Sequence, residues 1–287
     1  MKSWSSLFVL LLAPFLTHCG GFGGTSVEDS PAVVNVSGWD PKEVQRNGRK
    51  FNEHDVSALR ANGALALIAR SAKGPLLDEK FGDFLQSAHR EGLMLGAYHF
   101  VTMNQDPAVQ ADSFVDRVRS VARSRGISSS KILLVGDFDT ASNPDRLVSF
   151  IRRVEQLTGT VPVVYLENSA GLRQRLSNAS PDQKRIIRRA PYWLALYGPG
   201  GTERSMGGEL TPDLLTEEYG VWEDWSMWQY GGVVWQGGRS NPKHYDTPAW
   251  KSPRYFGDMA QPLERSVFRG SAGDLKAFWD RHSISID

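Results

Sequence analysis

The stretch KILLVGDFDTAS, Lys131 to Ser142, ends an apolar run in two carboxylates with one phenylalanine between them. Successive strand side chains point to opposite faces, so residues two apart share a face. A strand over Ile132 to Asp139 puts Asp137 and Asp139 on one side and Phe138 on the other. Carboxylates so placed raise each other's pKa unless a cation or donor intervenes. A sequence shaped for stability alone has little reason to build that pair. One member has a plainer role available. Asp139 or Ser142 could cap the helix that NPDRLVSFIRRVEQL suggests. That accounts for one carboxylate at most.

Outward from this stretch, strand and helix signals alternate. AVVNVSGW (Ala32 to Trp39), ALALIARS (Ala64 to Ser71) and LMLGAYHFV (Leu93 to Val101) read as strands, as do ILLVGDFD and VPVVYLEN (Val161 to Asn168). Between them, DEKFGDFLQSAHREG has helical spacing of Phe81, Phe84, Leu85 and Ala88. DPAVQADSFVDRVRSVARSRG is a second amphipathic helix, with Pro107 acceptable in its first turn. PYWLALYG (Pro191 to Gly198) and WSMWQYGG (Trp225 to Gly232) are later strands, and the turn-rich stretch from Gly237 to Gly270 reads as irregular. Alternating strands and helices imply an α/β fold with a parallel sheet, open or closed.

Polar residues recur where these strands end: Asn35, Tyr98, His99, Asp137, Asp139, Tyr165 and Glu167. In parallel barrels and open α/β sheets that end carries the site. Each residue also has a plainer reading. His99 is more often a core histidine, the tyrosines half-buried strand aromatics, and Glu167 a helix cap.

The 287 residues fit one large domain or two small ones. With a net charge of +1 and no long basic run, nucleic acid is not a suggested partner. At the N-terminus a lysine precedes an apolar run from Leu7 to Leu16, too short for a membrane span and suited to a secretory signal. LTHC resembles a lipobox, with the chain's single cysteine, Cys19, placed to carry lipid. The expected organisation is a signal peptide over 1–18, a flexible tether over 19–31 and one domain over 32–287. An exported protein follows, periplasmic or at the cell surface, whose contact with a membrane is that anchor. No disulfide or thiolate metal site is available to the mature domain.

GAYHF (Gly96 to Phe100), QADSF (Gln110 to Phe114), YWLALYG (Tyr192 to Gly198) and WSMWQYGG together resemble glycoside hydrolase family 25 lysozymes in order and spacing. PLERSVFRGS (Pro262 to Ser271) resembles the family's final motif. The resemblance implies a modified TIM-like (β/α) barrel. It also implies a muramidase that cuts the β-1,4 bond between N-acetylmuramic acid and N-acetylglucosamine in peptidoglycan, without metal or cofactor and as a monomer. The family's strand-end Asp-x-Glu matches DFD, which places Asp137 at its aspartate and Asp139 at its proton donor. Asn35 stands where the family has an aspartate, and Glu264 at the aspartate of the final motif, with Asp246 or Asp258 as alternatives. Three of four acidic positions are thus altered.

Replacing Glu by Asp withdraws a carboxyl by roughly 1.5 Å. A misplacement near 1 Å can cost on the order of 100-fold in rate. A deeper-seated sugar, a bridging water, or Glu167 acting as acid would compensate. The expected roles are Asp139 as general acid with Glu167 as reserve, Asp137 as stabiliser or base, and Asn35 orienting the 2-substituent or a neighbouring carboxylate. Tyr98, Tyr165, Trp193, Tyr197, Trp228, Gln229 and Glu264 are candidates to contact substrate. The amide at Asn35 suggests activity on de-N-acetylated peptidoglycan. The other reading is an inactive, peptidoglycan-binding lipoprotein.

Overall fold

The computed structural model describes residues 30–38, 52–127, 130–167, 170–195, 220–231, 235–236, 239–240 and 264–286. The expected signal segment, Cys19, Tyr197, Asp246 and Asp258 lie outside them.

The strands are β1 (Ala32–Val36), β2 (Ala64–Lys73), β3 (Leu76–Leu77), β4 (Met94–Phe100), β5 (Lys131–Asp137), β6 (Val163–Glu167), β7 (Tyr192–Ala195), β8 (Met227–Gly231), β9 (Trp235–Gln236), β10 (Arg239–Ser240), β11 (Glu264–Phe268) and β12 (Ser283–Ser285). The helices are α1 (Val56–Ala61), α2 (Phe81–Arg90), α3 (Pro107–Ser124), α4 (Pro144–Thr158), α5 (Ala170–Ser177), α6 (Pro181–Arg189) and α7 (Ala272–His282). Strands β1, β11, β8, β7, β6, β5, β4 and β2 follow one another around the sheet, and β2 pairs back to β1 to close it. The pairings are parallel except those of β11, which runs antiparallel to β1 and to β8. The expected TIM-like α/β barrel is therefore present, modified by one reversed strand. That strand lies in the segment whose turn residues suggested irregular chain.

Local chemistry sets the helix ends. Asp106 accepts from the backbone N–H of Ala108 and Val109, and Pro107 stands in the first turn of α3, where the N–H that proline lacks is not needed. Gly159 ends α4 with φ of 71°, a left-handed conformation that favours glycine. Inside the barrel, Val33, Ala66, Ile68, Leu133, Val135, Val163 and Met227 pack together. A larger apolar layer, including Phe81, Phe114, Phe150 and Ile187, fills the space between sheet and helices. The indole N–H of Trp279 on α7 donates to the Leu95 carbonyl at 2.7 Å, which seats that helix across the far end of the barrel. Just before β1, the Pro31 carbonyl accepts from Phe268 N–H at 2.9 Å.

Candidate active site

A cavity of about 510 Å³ lies at the C-terminal rim of the parallel strands, lined by Asn35, Arg70, Tyr98, Asp137, Asp139, Tyr165, Trp193 and Glu264, among others. Because β11 is reversed, its first residue, Glu264, stands at the same rim.

The two aspartates reach the cavity by different means. Asp137 is the last residue of β5, and its Oδ1 accepts the Asp139 N–H at 3.0 Å. This turn ends the strand two residues earlier than the sequence suggested. Phe138 faces away, edge-on to Phe150 at 5.4 Å, so both carboxyls still line the cavity. Neither Asp139 nor Ser142 caps the next helix. Asn143 does, accepting from Asp145 N–H at 2.8 Å.

Charges in the cavity are coupled. Burial, then the charge of Asp139, then that of Glu264 push Asp137 well above the usual carboxylate range. Glu264 is pushed up to about 7, chiefly by burial and further by Asp139, against hydrogen bonds from Asn35 and Gln229 and the charge of Arg70. Asp139 itself is exposed at the mouth. Arg70 is fixed by Asp78, whose Oδ2 accepts from Nε at 2.9 Å and lies 2.8 Å from the terminal nitrogen.

Asn35 donates its amide N–H to the Glu264 carboxylate, and Gln229 donates to Asn35 Oδ1 at 3.4 Å. The Tyr165 hydroxyl donates to Gln229 Oε1. Asn35 thus sits between Gln229 and the Glu264 carboxylate. Gln229 supports the site from beneath the lining residues. Trp193 sits edge-on to Tyr165 at 5.1 Å and donates its indole N–H to Ser266 Oγ at 3.0 Å.

Trp228 is a correction. Strand alternation turns it outward from Gln229, into the layer under the helices, where it packs against Trp225. His99 is a core residue between Phe114 and Phe150, bonded to Gln110 at 3.2 Å, and burial lowers its pKa to about 4. Glu167 ends β6, and its side chain lies outside the described residues.

Arg70 and Lys73 are lining residues the sequence reading missed. The signal for Arg70 was a charge inside an apolar strand. A register shift between Arg70 and Ala72 brings Lys73, three positions on, to the same cavity. Among the described residues, no cluster of three or more His, Cys, Asp and Glu could hold a metal ion.

Comparison with known proteins agrees with this fold. The family model described as glycosyl hydrolases family 25 matches residues 49–237. Among solved structures, the muramidase from Acremonium alcalophilum is similar at TM-score 0.54 and 20% identity, covering 87% of this chain and 99% of that one. The catalytic domain of endolysin ply40 from bacteriophage P40 of Listeria monocytogenes gives 0.55 and 17%, covering 87% and 97%. A family 25 glycosyl hydrolase from Bacillus anthracis gives 0.55 and 14%, covering 91% and 99%. At such identities these structures speak for the fold alone. No curated protein matches the sequence.

Proposed function

Because the chain belongs to glycosyl hydrolases family 25, we propose that it hydrolyses the β-1,4 bond between N-acetylmuramic acid and N-acetylglucosamine in peptidoglycan, in the cavity at the barrel rim. The observation that carries this reading is the convergence of Asp137 and Asp139, from the end of β5, with Glu264, from β11, on one cavity.

Glycosidic cleavage needs a proton for the leaving oxygen and a carboxylate to offset the positive charge at the anomeric carbon. A general acid works best with a pKa near the operating pH. Glu264, at about 7, meets that condition and is assigned the proton donor. Asp139, exposed at the mouth, is assigned the carboxylate that faces the developing charge. Its charge also helps hold protons on Asp137 and Glu264. The donor role suggested by the Asp-x-Glu resemblance thus passes from Asp139 to Glu264. Glu167→Ala retains activity in this scheme.

The finer part of the proposal concerns the sugar's 2-amino group. The Asn35 amide is committed to Glu264 and Gln229 and supplies no negative charge for a neighbouring-group route. A de-N-acetylated sugar carries an ammonium instead, which Asp139 attracts. The enzyme acts on such strands, as an exported protein anchored through Cys19. Turbidity loss measured in parallel on acetylated and enzymatically deacetylated sacculi tests the preference. Faster clearing of deacetylated walls supports it, and equal rates remove it. Clearing of neither removes the enzyme reading and leaves a wall-binding lipoprotein.

A further inference from the structure

Beneath the cavity the hydrogen bonds run in one direction, from phenol through two amides to a carboxylate. Tyr165 donates to Gln229 Oε1, Gln229 Nε2 donates to Asn35 Oδ1 at 3.4 Å, and Asn35 Nδ2 donates to Glu264 Oε2. An amide offers one acceptor atom and one donor group, so each link dictates which end faces the next residue. Gln229 is 1% exposed and Asn35 5%, so bulk water does not reset them.

The opposite direction is chemically distinct. If Gln229 turned its NH2 to Tyr165, its oxygen would face the Asn35 NH2. The Asn35 oxygen would then face Glu264. Two acceptors cannot pair, so that arrangement requires a protonated Glu264 to donate. The direction of the relay and the proton on Glu264 are therefore linked.

We propose that Tyr165 is a positioning residue whose phenol sets the direction of the Gln229–Asn35 relay, so that donors rather than acceptors face the Glu264 carboxyl. The relay eases release of a proton that burial would otherwise lock in place. Other groups act on Glu264: Asp139 from the turn after β5 and Arg70 from β2, while Asp137 on β5 shares its field. The kinetic consequence rests on the proposed role of Glu264 as proton donor, but the relay itself does not.

The test uses the folded chain carrying glutamate labelled with 13C at the side-chain carboxyl. Glu264→Gln identifies the resonance by its disappearance. Tyr165→Phe removes the hydroxyl and keeps the ring. Its expected effect is a rise of about one pH unit in the Glu264 midpoint, comparable with weakening one charge-assisted hydrogen bond. Gln229→Met cuts the relay at its second link and moves the midpoint the same way. The alkaline limb of kcat/KM on sacculi rises with it. Because Gln229 also donates to Glu264 directly, Tyr165→Phe decides: an unchanged or lowered midpoint there overturns the proposal, even where Gln229→Met raises its own. A raised midpoint with an unmoved rate profile, or with no cleavage by the wild type, leaves the relay standing and removes the donor role.

Discussion

Asn35 and Glu264 face each other across the antiparallel pair of β1 and β11, and the Asn35 amide donates to the Glu264 carboxylate. The Asn35 NH2 serves this carboxyl in either protonation state, because a protonated carboxyl keeps an acceptor oxygen. A second carboxylate in that place would add repulsion to a cavity that already holds three acidic groups.

The burial of Glu264 makes stability fall with rising pH. Its carboxyl ionises near 4.5 in an unfolded chain and near 7 when folded. Below 4.5 both states are protonated and the full stability is present. As pH rises through 7 the unfolded chain has released a proton that the folded one holds, so stability is lost. Asp137 acts in the same direction. Allowing for mutual coupling, Glu264 accounts for about 2 kcal/mol. Buried His99, its pKa lowered to about 4, acts in the opposite sense, so the wild type is compared with Glu264→Gln. Calorimetry from pH 4.5 to 8 should show Tm of the wild type falling relative to that of Glu264→Gln, by roughly 5 °C.

Asp139→Asn removes the charge that raises both buried neighbours. Activity falls on the order of 100-fold, as expected when a stabilising group is lost. The residual activity has its alkaline limit shifted to lower pH, because Glu264 gives up its proton more readily. A pH–rate series on the variant checks both. A shift to higher pH would mean that Asp139 is not the charge acting on Glu264.

Gly136→Ala tests how the two aspartates come to share the cavity. A Cβ there would lie 2.8 Å from Cε2 of Phe138 and 2.8 Å from Cε1 of Phe150. Those rings hold Phe138 outward and so turn its neighbours inward. Overpacking of this kind costs roughly 1–3 kcal/mol. Urea denaturation should show that loss, accompanied by reduced activity.

Asp78→Asn leaves Arg70 without the carboxylate that fixes it in a buried pair. Removing one partner of such a pair costs about 3 kcal/mol. The stronger positive field also lowers the Glu264 midpoint and moves the alkaline limit of activity down. Thermal unfolding and the pH–rate profile measure the two effects.

Much of this arrangement was legible in the sequence, because period-two and helical patterns are local. The Asp137–Phe138–Asp139 alternation put both carboxyls on one side, and the family resemblance put Asn35 and one of Glu264, Asp246 or Asp258 at acidic positions of one site. What stayed hidden was non-local. Trp228 and Gln229 are neighbours in sequence and face opposite layers, and the register of β8 against β7 and β11 decides which one faces inward. The reversed strand β11 was obscured by the turn-rich chain before it. Lys73 reaches the cavity through a register shift that no alternation rule anticipates. The direction of the Tyr165–Gln229–Asn35–Glu264 relay depends on four strands meeting.

The most direct test is mass spectrometry of soluble fragments released from purified sacculi by the wild type and by Glu264→Gln. The account requires fragments with muramic acid at the reducing end from the wild type, and at least 100-fold fewer from a folded variant, the scale of losing a general acid. Fragments ending elsewhere, or released equally by the variant, would contradict it.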